Sequence, residues 1–251
     1  MAVIKWDGTR RENKDMPLMK HLEELRKRSI ISVAALAAAS IVCVFFAGHI
    51  FSFFIDLAPD YDFIYAMPSQ LVVQYVQIGI AAGFILAFPV ILYQVWTFLF
   101  PALKSKEKKT IIVLLGAGVI FFVCGILFAY YIMIPSMLNF FFSANISDRV
   151  SPTITIESYA NFLITTFLVF GVVFELPTLL SAFTHLGLIK STWLIRGQKY
   201  AVLIIFIVAA IITPPDVVSQ ILVGIPLLIL YELSVGICYL IEKIKAKRQA
   251  A

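Results

Sequence analysis

The chain has 251 residues, of which 61% are hydrophobic and 14% are charged, and its mean hydropathy is +0.95. Soluble domains contain roughly 45–50% apolar and 25% charged residues, so this composition excludes an ordinary soluble protein. The net charge of +5 does not call for a nucleic-acid partner, because the basic residues are distributed as a membrane topology requires.

Basic residues occur in every second segment between the apolar runs. Nineteen of the 20 Lys and Arg residues lie in four of these segments, with eight in 1–29, four in 98–110, three in 187–199 and four in 238–251. The three intervening segments hold only Arg149. Cytoplasmic loops collect Lys and Arg, so the alternation predicts six spans with both termini in the cytoplasm. The expected fold class is an all-α membrane protein.

The first four predicted spans are long, at residues 30–55, 71–100, 110–134 (ended by Pro135) and 159–186. Each exceeds the roughly 20 residues that cross a bilayer as a helix. The last two are expected to be short, at 200–212 and 217–230. A helix of 13 residues is only about 20 Å long, so this hairpin either has a functional reason or belongs to a thin membrane.

Two predicted outer loops, residues 56–70 and 135–160, are rich in aromatic residues, Pro and Ser and contain one basic residue between them. This composition differs from that of a flexible, charged linker. We therefore expect both loops to form structured caps on the outer face.

An amphipathic helix is predicted before the first span. Leu18, Leu22 and Leu25 recur at i, i+4 and i+7, so their stripe is expected to lie on the inner membrane surface. Glu23 and Glu24 are unusual there, because acids are repelled by anionic lipid. The spacing also allows a simpler interpretation, in which each acid pairs on the helix with a basic residue four positions on, Lys27 or Arg28.

The first inner loop, residues 100–109, contains one acid, Glu107, among four lysines. Glu107 either moderates that charge or acts together with Glu24, which is predicted on the same face of the membrane. Two such carboxylates would suit a ligand with two guanidinium groups, because carboxylates bind guanidinium through paired, charge-assisted hydrogen bonds.

Two further polar positions lie within or beside the spans. Glu175 is the one acid deep in an apolar run, where a charge costs on the order of 2.5–3.5 kcal/mol, so it should face protein or water, or be neutral. Asp216 forms a polar group with Thr213 and Gln220 at the outer end of the last hairpin. Asp216 either caps the sixth helix or takes part in docking a partner.

The sequence lacks the constellations of an enzyme. It has no metal-binding His or Cys spacing, no nucleophile motif and no Gly-rich phosphate loop, so neither catalysis nor a cofactor or metal is expected. A secondary transporter with Glu175 as its proton or substrate site is the alternative from another class. Such transporters have several polar residues and broken helices near mid-membrane, whereas Glu175 is nearly alone.

Several motifs together resemble the TatC family, the multi-spanning subunit of the twin-arginine protein translocase. In chain order they are residues 21–26 (HLEELR), 92–103 (LYQVWTFLFPAL) with Glu107, 174–177 (FELP), 213–220 (TPPDVVSQ) and 225–232 (IPLLILYE). The resemblance covers residues 16–240 as one membrane domain, with residues 1–15 outside it and a basic cytoplasmic tail at 241–251. Lys108 and Lys109 depart from the family, which often has two arginines after this glutamate.

The resemblance implies a cupped six-helix bundle in the cytoplasmic membrane of a prokaryote. It implies a receptor that self-associates, binds twin-arginine signal peptides at the cytoplasmic face and exports folded proteins with single-span TatA- and TatB-type partners, driven by the protonmotive force. Three roles follow by position: signal-peptide binding, an intramembrane acid and partner docking. The corresponding residues are Glu24, Glu107 and Phe98; Glu175; and Thr213, Asp216 and Gln220.

The predicted topology can be tested by cysteine labelling after Cys43, Cys124 and Cys238 are replaced by serine. Single cysteines in loops 56–70 and 135–160 should react with an impermeant reagent added outside the cell. Cysteines in loops 98–110 and 187–199 should react only after the membrane is opened. Labelling of residue 106 from outside would contradict the orientation.

Overall fold

The computed structural model describes residues 16–58, 63–64, 67–99, 108–143, 154–213 and 217–250. This part of the chain contains nine α-helices and one π-helical turn. The helices are α1 (Met16–Phe45), α2 (Ala47–Asp56), α3 (Pro68–Leu99), α4 (Lys108–Phe128), α5 (Ile134–Ser143), α6 (Ile156–Val173), α7 (Leu176–Leu186), α8 (Ser191–Ile212) and α9 (Val217–Ala250). The π-helical turn, Ala129–Met133, joins α4 to α5.

Six helical segments are long and apolar enough to cross a bilayer, which confirms the predicted number and order of spans. They correspond to α1, α3, α4 with α5, α6 with α7, α8 and α9. The fourth span lies at the centre of the bundle. Its residues Leu163 and Phe170 are fully buried in the main apolar core, to which α2, α3, α5, α8 and α9 also contribute.

The first and second spans pack together at backbone distance. A Cβ placed on Gly83 of α3 would lie 2.5 Å from the Cα of Ser40 in α1, and one on Gly79 would lie 2.8 Å from the Cα of Val44. Glycines four residues apart allow this approach between helices in a membrane. Since residue numbers rise along one helix as they fall along the other, the two contacts also define an antiparallel register.

At one end of the bundle, the loops predicted as caps contact each other. The short strands β1 (Phe63–Ile64) and β2 (Ile154–Thr155) pair in parallel. The Tyr159 hydroxyl donates to the Phe54 carbonyl at 2.9 Å, which ties α6 to α2. We call this the cap end; the basic end is the opposite one, where α1 and α8 begin and α3 and α9 finish.

Pro135 does not end the third span, contrary to the prediction. The helix continues through α5 to Ser143, because the π-helical turn Ala129–Met133 shifts the hydrogen-bond pattern ahead of Pro135 and so accommodates its missing N–H group. The fourth span is interrupted instead. Glu175 lies between α6 and α7, and Pro177 is at the second position of α7, where its missing N–H costs little.

The last two helices are not short, so that part of the prediction was wrong. α8 has 22 residues and α9 has 34. The prediction ended each helix at its first polar residues, but these side chains pair between the two helices and therefore do not interrupt them. Gln198 donates to Glu232, and Glu242 accepts from the backbone N–H of Ser191 at 2.9 Å and from its hydroxyl.

The predicted amphipathic helix is not a separate surface helix. Residues 16–29 continue without a break into the first span as α1. The exposed Met19, Leu22 and Leu25 remain on its surface, and Pro17 falls in the first helical turn. No helix-breaking residue separates the two segments, so continuation costs less than a turn would.

The α1–α3 contact predicts a size limit at Gly83. Gly83→Ala should lower the stability of the protein by about 1–3 kcal/mol, because the added methyl group overlaps backbone that cannot move aside alone. Gly116→Ala is the matched control in another span, since nothing lies within 4 Å of its Cβ position. Thermal unfolding in detergent should separate the two variants. Equal melting temperatures would show that the contact is not tight.

Candidate functional site

The register of α1 against α3 brings the predicted site residues Glu24 and Phe98 to one level. Nη1 of Arg28 in α1 lies 3.4 Å from Oε1 of Gln94 in α3, which continues the register set by Gly79 and Gly83. Glu24 is one turn before Arg28, and Phe98 is one turn after Gln94. Because side chains four residues apart share a helix face, both lie one turn closer to the basic end.

The Glu24 carboxylate already holds a guanidinium group. Its Oε1 accepts from Nη2 of Arg28 at 2.5 Å and from Nε at 3.1 Å. The simpler pairing that the sequence left open is therefore present for Glu24. The carboxylate is not sealed by this bond, since one third of the Glu24 side chain remains exposed.

A cavity of about 400 Å³ opens beside this pair. Its lining residues are Glu23, Glu24, Lys27, Arg28, Ile31 and Gln94. The cavity therefore contains two carboxylates and two cationic side chains at the junction of α1 and α3. This arrangement can bind a cationic group of a ligand, because the acids are accessible and the second helix supplies an amide oxygen.

Sequence reasoning did not assign Arg28 or Gln94 to this site. Gln94 had a detectable signal, since it is a polar residue in an apolar run and stands one helical turn before Phe98. Arg28 was considered only as a surface partner of Glu24. Glu107, the second predicted acid, lies outside the described residues, immediately before α4 begins at Lys108.

Glu175 is buried inside the bundle, with 3% of its surface exposed. It faces protein, as expected from the cost of a charge in lipid. A Cβ placed on Gly118 of α4 would lie 2.9 Å from Oε2 of Glu175, so the absence of a side chain at Gly118 makes room for the carboxyl group. It is therefore not exposed to a partner at the bundle surface.

Neither carboxyl oxygen of Glu175 has a hydrogen-bond partner among the described residues. The Thr178 hydroxyl, one turn later, is likewise buried without a described partner. Buried polar groups in this condition cost stability. A group retained at such a cost is a candidate for function, and a carboxyl group can exchange a proton or a hydrogen bond when the bundle rearranges.

Thr213 and Gln220 lie where α8 ends and α9 begins, at the cap end. The Thr213 hydroxyl donates to the Ala209 carbonyl at 2.9 Å, and Nε2 of Gln220 donates to the Phe206 carbonyl at 2.9 Å. Thr213 also borders a cavity of about 470 Å³ that includes Tyr159 and Asn161 of α6. Asp216, the third member of the predicted group, lies outside the described residues.

The structure therefore separates the predicted site residues into three places. Glu24 and Phe98 are together at the basic end, Glu175 is inside the bundle, and Thr213 and Gln220 are at the cap end. Within the described ranges, no group of three or more His, Cys, Asp or Glu side chains is arranged to hold a metal ion.

A family model described as Sec-independent protein translocase protein (TatC) matches residues 20–226. Proteins named Sec-independent protein translocase protein TatC are similar along nearly their whole length. The protein of Aquifex aeolicus is 37% identical over 241 residues, which are 94% of this chain and 100% of the relative. That of Carboxydothermus hydrogenoformans is 38% identical over 234 residues, 92% and 96% of the two chains.

The fold is similar to that of a solved structure described as the twin arginine translocase receptor TatC. The TM-score is 0.82 at 36% sequence identity, and the match covers 88% of this chain and 99% of the other. A second structure of that receptor, in the detergent DDM, has a TM-score of 0.81 at 37% identity. Both the sequence order and the three-dimensional arrangement are thus shared over most of the molecule.

Proposed function

Because the chain belongs to the TatC family of Sec-independent protein translocases, we propose that it is the signal-peptide receptor of a twin-arginine translocase. In this role it binds twin-arginine signal peptides at the cytoplasmic face of a prokaryotic membrane. It assembles with TatA- and TatB-type single-span proteins and exports folded proteins with the protonmotive force. Membership in a translocase family removes the grounds for the small-solute transporter considered from the sequence.

The orientation in this proposal has the basic end in the cytoplasm, together with both termini. The support is the distribution of charge, with 19 of 20 Lys and Arg residues assigned to that side.

The observation that carries the proposal is a guanidinium group bound to Glu24 beside an open cavity. This pairing supports the proposal, because the Glu24 carboxylate accepts hydrogen bonds from one arginine side chain and is partly exposed to a second. We assign signal-peptide arginines to Glu24 and to Glu107, with Phe98 as an apolar contact at the level of Glu24. The assignment of Glu107 rests on the family resemblance and on its position just before α4.

Docking of a TatA- or TatB-type helix is assigned to the cap end around Thr213, Asp216 and Gln220. The cavity beside Thr213 supports this, because it is mostly apolar but includes the polar side chains Ser158, Asn161 and Thr165 of α6. A membrane-spanning partner with a polar residue at this depth would find hydrogen-bonding groups in an otherwise apolar surface.

Removal of the Glu24 carboxylate tests peptide binding directly. Glu24→Ala, and likewise Glu107→Ala, should weaken binding of a twin-arginine peptide roughly 10- to 100-fold, because charge-assisted bonds are worth about 1.5–3 kcal/mol. Glu157→Ala is the control, since it removes an exposed carboxylate at the cap end. Affinity for a fluorescent peptide can be measured with the full chain in lipid nanodiscs. Normal binding by both site variants would locate the receptor site elsewhere.

A role for Glu175 in transport is tested by comparing export with stability. Glu175→Leu should stop export of a folded twin-arginine reporter while the melting temperature stays the same or rises, because two unpartnered buried oxygens are removed. Glu175→Gln, which retains a hydrogen-bonding side chain of the same shape, should preserve export.

The matched control for Glu175 is Thr178→Val. It removes another buried hydrogen-bonding group one turn away with little change in volume, and should retain export. Export by Glu175→Leu at the wild-type rate would eliminate this acid from the mechanism. Loss of export accompanied by a lower melting temperature would indicate a structural role instead.

A further inference from the structure

Arg28 occupies the carboxylate to which the proposed function assigns an arginine of the signal peptide. Its Nη2 and Nε atoms lie 2.5 and 3.1 Å from Oε1 of Glu24. An incoming guanidinium group that binds both oxygens of the carboxylate would need the oxygen that Arg28 occupies. The chain carries within its own site the chemical group that the ligand would bring.

The bond is built in a way that allows exchange. Both N–H groups of Arg28 meet a single oxygen, whereas the strongest arginine–carboxylate pairs use two parallel bonds to two oxygens. Oε2 of Glu24 accepts no hydrogen bond from a described residue. An incoming arginine that engages both oxygens therefore makes the better pair, provided that Arg28 leaves Oε1.

Arg28 also contacts α3 and borders an open cavity. Its Nη1 atom is 3.4 Å from Oε1 of Gln94, a long hydrogen bond that steadies it against α3. About one fifth of the Arg28 side chain is exposed, and the cavity of about 400 Å³ adjoins it. The side chain can swing into this space without a change in the helices.

We propose that Arg28 is an intramolecular competitor of the signal peptide for Glu24. Peptide binding then consists of two linked steps, release of Arg28 from Oε1 and capture of the peptide arginine. Arg28 thereby lowers the affinity of every cationic ligand of Glu24, because each ligand must displace Arg28 to occupy the carboxylate. The proposal rests on the receptor function assigned to Glu24.

Competition within the chain has a quantitative signature. Closing of the Arg28–Glu24 pair lowers the apparent affinity of every ligand of Glu24 by the same factor, because the closed state binds none of them. Removal of the pair should tighten a twin-arginine and a twin-lysine peptide equally. For an ion pair that is partly exposed, that factor is roughly two- to fivefold.

The experiment measures the affinity of both peptides for the full chain in nanodiscs. Arg28→Gln opens the pair and removes a charge, and Arg28→Lys retains the charge but loses the planar guanidinium group. Lys27→Gln removes a neighbouring charge that does not bond to Glu24, and so measures the purely electrostatic gain. We expect Arg28→Gln to tighten both peptides about two- to fivefold more than Lys27→Gln does, and Arg28→Lys to tighten both by a smaller factor.

Two results would overturn the proposal. In the first, Arg28→Gln binds the peptides no more tightly than Lys27→Gln, and Arg28→Lys binds them no more tightly than the wild-type protein. Arg28 would then orient Glu24 or contact the peptide, and would not compete with it. The receptor function would survive that result as long as Glu24→Gln still loses peptide binding. If Glu24→Gln binds normally, both the receptor assignment and the competition fall together.

Discussion

The backbone contact between α1 and α3 at Gly79 and Gly83 governs the geometry of the basic end. Only 6% of the most apolar stretch of α1 is buried, against 44% in the fourth and sixth spans, so α1 is positioned chiefly by α3. The register of that contact places Arg28 beside Gln94 and brings Glu24 level with Phe98. A one-residue change of register would rotate Glu24 by about 100° around α1 and separate it from the cavity.

A second constraint is that the hydrocarbon of a bilayer offers no hydrogen-bond partners to polar side chains. In a bilayer, hydroxyl groups are satisfied cheaply by the carbonyl one turn earlier, and Thr166, Thr213 and Ser234 all donate in this way at 2.7–2.9 Å. An ionised glutamate carboxylate has no hydrogen to donate to that carbonyl. Glu175 additionally lies at the break between α6 and α7, where the helix is already interrupted by the approach to Pro177. The buried carboxyl group without a local hydrogen-bond donor thus coincides with the irregular backbone, which supports the role that we propose for Glu175.

The sequence was sufficient for the number and order of spans, because apolar length and the distribution of Lys and Arg are properties of the chain itself. It failed where tertiary contacts override local pattern. The predicted limits at residues 200 and 230 fell beside Gln198 and Glu232, but these two side chains hydrogen-bond to each other within longer helices. The π-helical turn before Pro135 has no composition signal. Glu24 and Phe98 are predicted site residues because of the family resemblance. Their common level depends on a register between distant segments, which a single sequence does not encode in a readable form.

The two sides of the basic end differ in how firmly they are tied. α8 and α9 are joined there by the bonds between Ser191 and Glu242, and by the Tyr231 hydroxyl, which donates to the Leu194 carbonyl at 2.9 Å. At the level of Glu24, α1 is joined to α3 through the long contact from Arg28 to Gln94. Regions with few buried contacts open at the lowest free energy, so the displacement of Arg28 that we propose would act on the span that is least fixed by packing. The end of α1 that carries Glu24 is thus held less firmly than the neighbouring ends of α8 and α9.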